Sequence, residues 1–128
     1  MKKRALVCDD DQHIRNLVHA ILELDGYSVI TAENGREACE IIQNDSIKKQ
    51  INLLVLDVRM PEMTGLDVLD ALREKGTIGD FPIIMLTAEG TNEDIVLGYE
   101  KGASYYITKP FTKQQLLYGV NLVSIEEA

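Results

Sequence analysis

The sequence contains no tryptophan and only two cysteines, Cys8 and Cys39, too far apart to form a redox or metal-ligand spacing. Both read as small packing residues, Cys8 ending an apolar run and Cys39 lying in a helical stretch. Long apolar runs are missing as well: nothing approaches the roughly 20 residues needed to span a bilayer. The basic start Met1-Lys2-Lys3-Arg4 leads into an apolar run that stops at Cys8 against three aspartates, too short for a signal peptide. A cytoplasmic protein without membrane contact is expected. Positive charge is scarce, 13 Lys and Arg against 21 Asp and Glu, for a formal net charge of -8. Such a surface repels phosphodiester backbones and argues against direct nucleic-acid binding. No repeat, low-complexity segment or linker divides the chain, so its 128 residues are expected to form one domain, 1–128.

What the sequence does have is a regular alternation. Short apolar runs at Ala5 to Cys8, Leu53 to Leu56, Ile83 to Leu86 and Tyr105 to Ile107 have strand length and no polar alternation. They suit strands buried on both faces, as in a parallel sheet. Tyr27 to Ala32 alternates more and suits an edge strand. Between these runs the spacing is helical. Ile14, Leu17, Val18, Ile21 and Leu22 predict an amphipathic first helix, with Asp11 as its N-cap and Gly26 as its stop.

Asn34 and Glu37 are spaced like a capping box before Ala38, Ile41 and Ile42. Gly65, Val68, Leu69 and Leu72 mark a third helix that ends near Gly76. Thr91 with Asp94 opens a fourth, closed by Gly102, and Thr112 with Gln115 opens a fifth carrying Leu116, Val120 and Val123. The polar stretch Asn44 to Asn52 reads as a loop. Five strand-helix units imply a parallel sheet with helices on both faces.

In such sheets the ligand crevice lies beyond the carboxyl ends of the strands. Here the strand runs end in Asp9-Asp10-Asp11, in Asp57, in Thr87 and, after Thr108, in Lys109. Polar residues often end strands, but these four ends together bring carboxylates, a hydroxyl and an ammonium to one edge. Asp9, Asp10 and Asp57 outnumber the single cation Lys109. Two like charges ~4 Å apart repel by about 4 kcal/mol at an effective dielectric of 20, so the crevice calls for a divalent cation. With no His or Cys among the ligands, a hard ion such as Mg²⁺ fits, or Mn²⁺ in its place. Beside it Asp57 can serve as a carboxylate nucleophile toward phosphorus, with Lys109 and Thr87 facing the transferred oxygens.

These motifs, in order, are Leu6-Val7-Cys8-Asp9-Asp10-Asp11, Leu56-Asp57-Val58-Arg59-Met60-Pro61-Glu62-Met63-Thr64-Gly65, Leu86-Thr87-Ala88 and Lys109-Pro110-Phe111. From about Lys3 to Val123 the chain resembles the receiver domains of two-component response regulators, most nearly the single-domain chemotaxis regulators. The resemblance implies a flavodoxin-like three-layer α/β sandwich with five parallel strands in the order 2-1-3-4-5. It implies a phosphorylation-activated signalling switch that catalyses only its own phosphorylation and dephosphorylation and is otherwise no enzyme.

Asp57 would be the phosphoacceptor, with Asp10, Asp57 and the Arg59 carbonyl as direct Mg²⁺ ligands and Asp9 acting through metal-bound water. Thr87 and the Ala88 backbone N–H would hold the phosphoryl group and Lys109 would pair with it. Tyr106 matches the aromatic switch position, which turns inward as Thr87 moves. Lys109-Pro110 would be a cis peptide. The donor would be a sensor histidine kinase or a histidine phosphotransfer protein. The target would be a protein docking on the fourth helix, fifth strand and fifth helix.

Arg59 and Glu89 occupy the variable positions beside the acceptor and, being of opposite sign, are expected to pair and slow hydrolysis. The chain stops at Ala128, just past the fifth helix, which gives a receiver with no output domain as the expectation.

Three other functions fit the sequence less well. An aspartate-nucleophile phosphatase of the haloacid dehalogenase type needs a second Asp two residues after the nucleophile, where this chain has Arg59. A flavodoxin-like electron carrier needs a phosphate-cradling first loop, which Asp9-Asp10-Asp11 would repel. A receiver acting by contact alone would have no use for the full set of Asp9, Asp10, Asp57, Thr87 and Lys109. His13 and His19 read as surface residues of the first helix, and Tyr99 and Tyr105 as partly buried aromatics.

Overall fold

The structure is a computed structural model and describes residues 2–88 and 92–125. Its strands are β1 (Arg4–Cys8), β2 (Ser28–Ala32), β3 (Ile51–Asp57), β4 (Ile83–Thr87) and β5 (Tyr105–Thr108). All pairs are parallel, in the order β2-β1-β3-β4-β5. The described helices are α1 (Gln12–Leu24), α2 (Gly35–Gln43), α3 (Asp45–Lys48), α4 (Gly65–Glu74), α5 (Asn92–Lys101) and α6 (Lys113–Ile125). Burial follows position in the sheet. Central β4 is buried at every residue, whereas edge strand β2 is buried only at Ala32.

Side-chain alternation divides the central strands between two cores. Leu6, Leu54, Leu56, Ile83 and Met85 face α2 and α4, where Ala38, Ile42, Val68, Leu69 and Leu72 meet them. Ala5, Val7, Leu53, Val55, Ile84 and Leu86 face α1 and α6, which supply Val18, Ile21, Leu22, Leu116, Val120 and Val123. The expected three-layer sandwich is thus observed. Each fully buried Leu or Ile contributes about 1.5–3 kcal/mol of transfer free energy. One irregularity marks the β1–β3 ladder, where Arg4 pairs with Ile51 but Ala5 pairs with Leu53. Asn52 is the extra residue, and its side-chain oxygen accepts the Arg4 N–H at 2.8 Å.

The helix boundaries follow local chemistry. Asp11 caps α1 by accepting from the backbone N–H groups of His13 and Ile14. Asn34 caps α2 through the Glu37 N–H, and Thr112 and Gln115 exchange both hydrogen bonds of a capping box at α6. Gly26, Gly76 and Gly102 take positive φ values just past α1, α4 and α5, where a side chain would be strained.

Two expectations are corrected. The stretch Asn44 to Asn52 is not a plain loop: it holds the one-turn helix α3, started by the Asn44 side chain on Ser46 and Ile47, and the first residues of β3. Leu17 does not join the buried face of α1, being 45% exposed, because Val18, Ile21 and Leu22 centre that face about a quarter turn away. Thr91, expected to open the helix, lies outside the described residues, as does Glu89.

Candidate functional site

The strand order opens the crevice. α1, which leaves β1, packs on one face of the sheet, and α4, which leaves β3, packs on the other. The ends of these neighbouring strands are therefore left uncovered between them. Register sets what meets there. Cys8 pairs with Leu56, so Asp9 emerges level with Asp57. Asp57 pairs with Leu86, which puts Thr87 one step further along, and Thr87 pairs with Thr108 next to Lys109.

Carboxylate oxygens of Asp9, Asp10 and Asp57 all lie within 4.8 Å of one another. Asp9 and Asp57 are buried, while Asp10 is exposed at the mouth. Lys109 comes to them from the end of β5, three strands from β1 and two from β3. The β5–α6 connection brings it back, with the Lys109 N–H held by the Thr87 carbonyl at 2.7 Å and a cis Lys109-Pro110 bond. Its Nζ is 2.8 Å from Asp9 Oδ2 and 3.3 Å from Asp57 Oδ1.

The second Asp9 oxygen accepts the Asp11 N–H at 2.9 Å, so both Asp9 oxygens are engaged. Asp57 Oδ1 also accepts the Arg59 N–H at 3.2 Å. The Arg59 side chain itself is exposed.

The electrostatics follow from this crowding. Burial, with the Asp9 charge added, pushes the Asp57 carboxyl up to about 7, against the opposing pull of Lys109 and the Arg59 N–H. Burial alone would lower Lys109, but its hydrogen bond to Asp9 and the Asp57 charge more than offset that and raise it above the ordinary lysine value. Thr87 is buried, and its Oγ1 is the one buried side-chain polar atom without a hydrogen-bond partner among the described residues. An unpartnered buried hydroxyl costs about 1–3 kcal/mol, so Thr87 Oγ1 is free to donate to an acceptor brought into the crevice. Ala88 follows at the exposed rim.

Tyr106 lies on the same sheet side as Thr87: it pairs with Met85, two residues before Thr87, and packs on the same core. Its half-buried ring lies against α5, 5.2 Å from the Tyr99 ring centroid, with Oη donating to the Asp94 carbonyl at 3.4 Å. Sequence reasoning missed Arg15. From the first turns of α1 its guanidinium donates to the Asp9 carbonyl at 2.8 Å and lies 3.8 Å from Glu33. No pattern in the sequence marks it, because its place is set by a contact made across the fold. The proposed partner of Arg59, Glu89, lies outside the described residues.

The donor set fits a hard dication. It consists of carboxylate oxygens only, with Asp9 and Asp57 buried, and the Asp57 carboxyl is held up by burial first and by the Asp9 charge second.

Comparison with known proteins agrees with this geometry. The profile of the response regulator receiver domain matches residues 5–121. The transcriptional regulatory protein CpxR of Escherichia coli is 38% identical over 120 residues, covering 94% of this chain and 48% of CpxR. The probable transcriptional regulator ycf27 of Cyanophora paradoxa is 44% identical over 115 residues, covering 90% and 45%. The chain thus spans about half the length of these relatives. Among solved structures, the Vibrio cholerae chemotaxis protein CheY4 superposes with a TM-score of 0.86 at 35% identity, over 96% of this chain and 99% of that one.

Proposed function

This chain belongs to the response regulator receiver family, and from that premise we propose that Asp57 accepts a phosphoryl group and that the chain signals by the change this produces. The observation that carries the proposal is the meeting of three carboxylates within 4.8 Å with one lysine and beside an unpartnered, buried threonine hydroxyl. A phosphoryl group on Asp57 supplies what that arrangement lacks. It offers Thr87 Oγ1 an acceptor and gives Lys109 a second anion to pair with. Ala88, at the rim, presents its backbone N–H as a further donor.

The donor is a phosphohistidine of a sensor kinase or phosphotransfer protein. An Asp57 oxygen attacks phosphorus as the P–N bond breaks, and the departing imidazole nitrogen takes a proton from solvent. Asp10, Asp57 and the Arg59 carbonyl would hold Mg²⁺ or Mn²⁺ directly. Asp9, with both oxygens engaged by Lys109 and the Asp11 N–H, would act through water. When bound, the ion neutralises charge on the phosphoryl oxygens.

Lys109 stays protonated throughout, because its carboxylate partners raise its pKa. Movement of Thr87 toward the phosphoryl group frees space on the sheet face it shares with Tyr106. The change is read by a protein docking on α5, β5 and α6 in the cytoplasm. Among the described residues no helix is long and apolar enough to cross a membrane.

The chain works on itself rather than on a turnover substrate. At the position where a dehalogenase-type phosphatase places its general acid stands Arg59, whose side chain is exposed. Borohydride reduction after treatment with acetyl phosphate and Mg²⁺ tests the assignment. It should convert Asp57, and no other aspartate, to homoserine in the peptide map. Homoserine at Asp9 or Asp10 instead would overturn it.

A further inference from the structure

Gly98 is the only buried residue of α5 among those described, and it sits well inside the helix, where glycine is a poorer helix former than alanine. The backbone gives no reason for it. Gly98 is not among the glycines with positive φ, unlike Gly102 at the helix end. The space around it does give a reason. A Cβ at Gly98 would overlap the Tyr106 hydroxyl and would stand 2.7 Å from Tyr106 Cζ and 3.1 Å from Cε1. The phenol occupies the volume a side chain would take. It is held there by the Asp94 carbonyl one turn earlier and flanked by the Tyr99 ring at 5.2 Å.

We infer that Gly98 is a positioning residue: its bare Cα forms a socket in α5 that receives the Tyr106 phenol and sets the resting position of that ring. The consequence for signalling rests on the proposed switch role of Tyr106, while the socket itself rests on the contacts alone. Tyr106 and Thr87 share one sheet face, so a ring seated in α5 is a ring kept away from Thr87. A side chain at 98 would unseat the ring with no phosphoryl group present and bias the two-state equilibrium toward the signalling arrangement. The Asp9, Asp57 and Lys109 cluster would be left untouched.

The test combines a folding cycle with a ring probe in the full chain. Alanine at 98 should raise the urea midpoint in a Tyr106→Ala background, as helix propensity dictates, and fail to raise it when Tyr106 is present. An equal rise in both backgrounds overturns the socket. In 3-fluorotyrosine-labelled protein, with the Tyr106 resonance assigned by Tyr106→Phe, Gly98→Ala should move that resonance before any phosphodonor is added. An unmoved resonance also overturns the socket. Acetyl phosphate with Mg²⁺ should then move the Tyr106 resonance of the unsubstituted chain in the direction Gly98→Ala does. If the socket results hold and phosphodonor leaves the resonance in place, the link from socket to switch is overturned and the socket alone survives.

Discussion

Lys109 and Asp9, a hundred positions apart in the chain, meet at 2.8 Å, and the same ammonium stands 3.3 Å from Asp57. One cation thus serves two buried carboxylates that would otherwise face each other, and it is the cation that a phosphoryl group on Asp57 would engage. On the proposed function, the resting and phosphorylated states would compete for the same side chain.

That competition makes Lys109→Met informative in two opposed ways. Removing one partner of a buried ion pair costs about 3 kcal/mol, so urea denaturation in Mg²⁺-free buffer at pH 8 should show a loss of that size. Calorimetric titration should meanwhile show Mg²⁺ binding several-fold tighter, because three carboxylates have lost their nearest cation. Weaker Mg²⁺ binding would contradict this account of the charge balance.

The Asp57 pKa gives the pH dependence a definite sign. Its folded value, about 7, lies above the ordinary value of 3.8, so the unfolded chain ionises first as pH rises. This residue therefore costs nothing below about pH 4. Its cost grows between about 4 and 7 and is fully present above 7. In Mg²⁺-free buffer the urea midpoint should fall across that window, and Asp57→Asn should flatten the fall and raise stability at pH 8. Mg²⁺ should stabilise the unsubstituted protein more at pH 8 than at pH 5.

Thr87→Val removes a buried hydroxyl that has no partner among the described residues. It should raise unfolding stability by about 1 kcal/mol, the lower end of the penalty for an unsatisfied buried group. The same variant should still take up phosphoryl on Asp57 while losing most of the accompanying change in tyrosine signals. Thr87→Ser should keep that change. A destabilised Thr87→Val protein would mean that the hydroxyl is satisfied at rest.

Gly65 begins α4 where its N–H donates to the Val58 carbonyl at 2.8 Å. A Cβ there would run into the Asp57 carbonyl oxygen and stand 2.9 Å from Met85 Cε. Gly65→Ala should therefore destabilise the fold by about 2 kcal/mol, as overpacking does, and weaken Mg²⁺ binding by displacing the loop that carries Arg59. A stability within experimental error of the parent would show that the loop yields freely.

How far the sequence revealed this molecule depended on how many residues carried each signal. The central strands were legible because runs such as Ile83 to Leu86 are apolar on both faces, and only a sheet covered on both sides buries them. The acidic crevice was legible because strand ends in such a sheet share one edge, whatever the connections do. α3 was not, because one turn has no periodicity; its only mark was Asn44 before Asp45, a cap too common to stand alone. Leu17 failed because an i, i+3, i+4 pattern marks a stripe and not its centre, and the stripe of α1 is narrower than its apolar residues suggest. Arg15 and Gly98 could not be read at all, since each owes its place to a contact made across the fold, with the Asp9 carbonyl and with Tyr106.

The most direct test of the central claim is the intact mass of the protein after acetyl phosphate treatment, with and without Mg²⁺, for the unsubstituted chain and for Asp57→Asn. A single phosphoryl adduct that requires Mg²⁺ and is absent from Asp57→Asn is the predicted result. An equal adduct in Asp57→Asn, or none in the unsubstituted chain, would contradict the account.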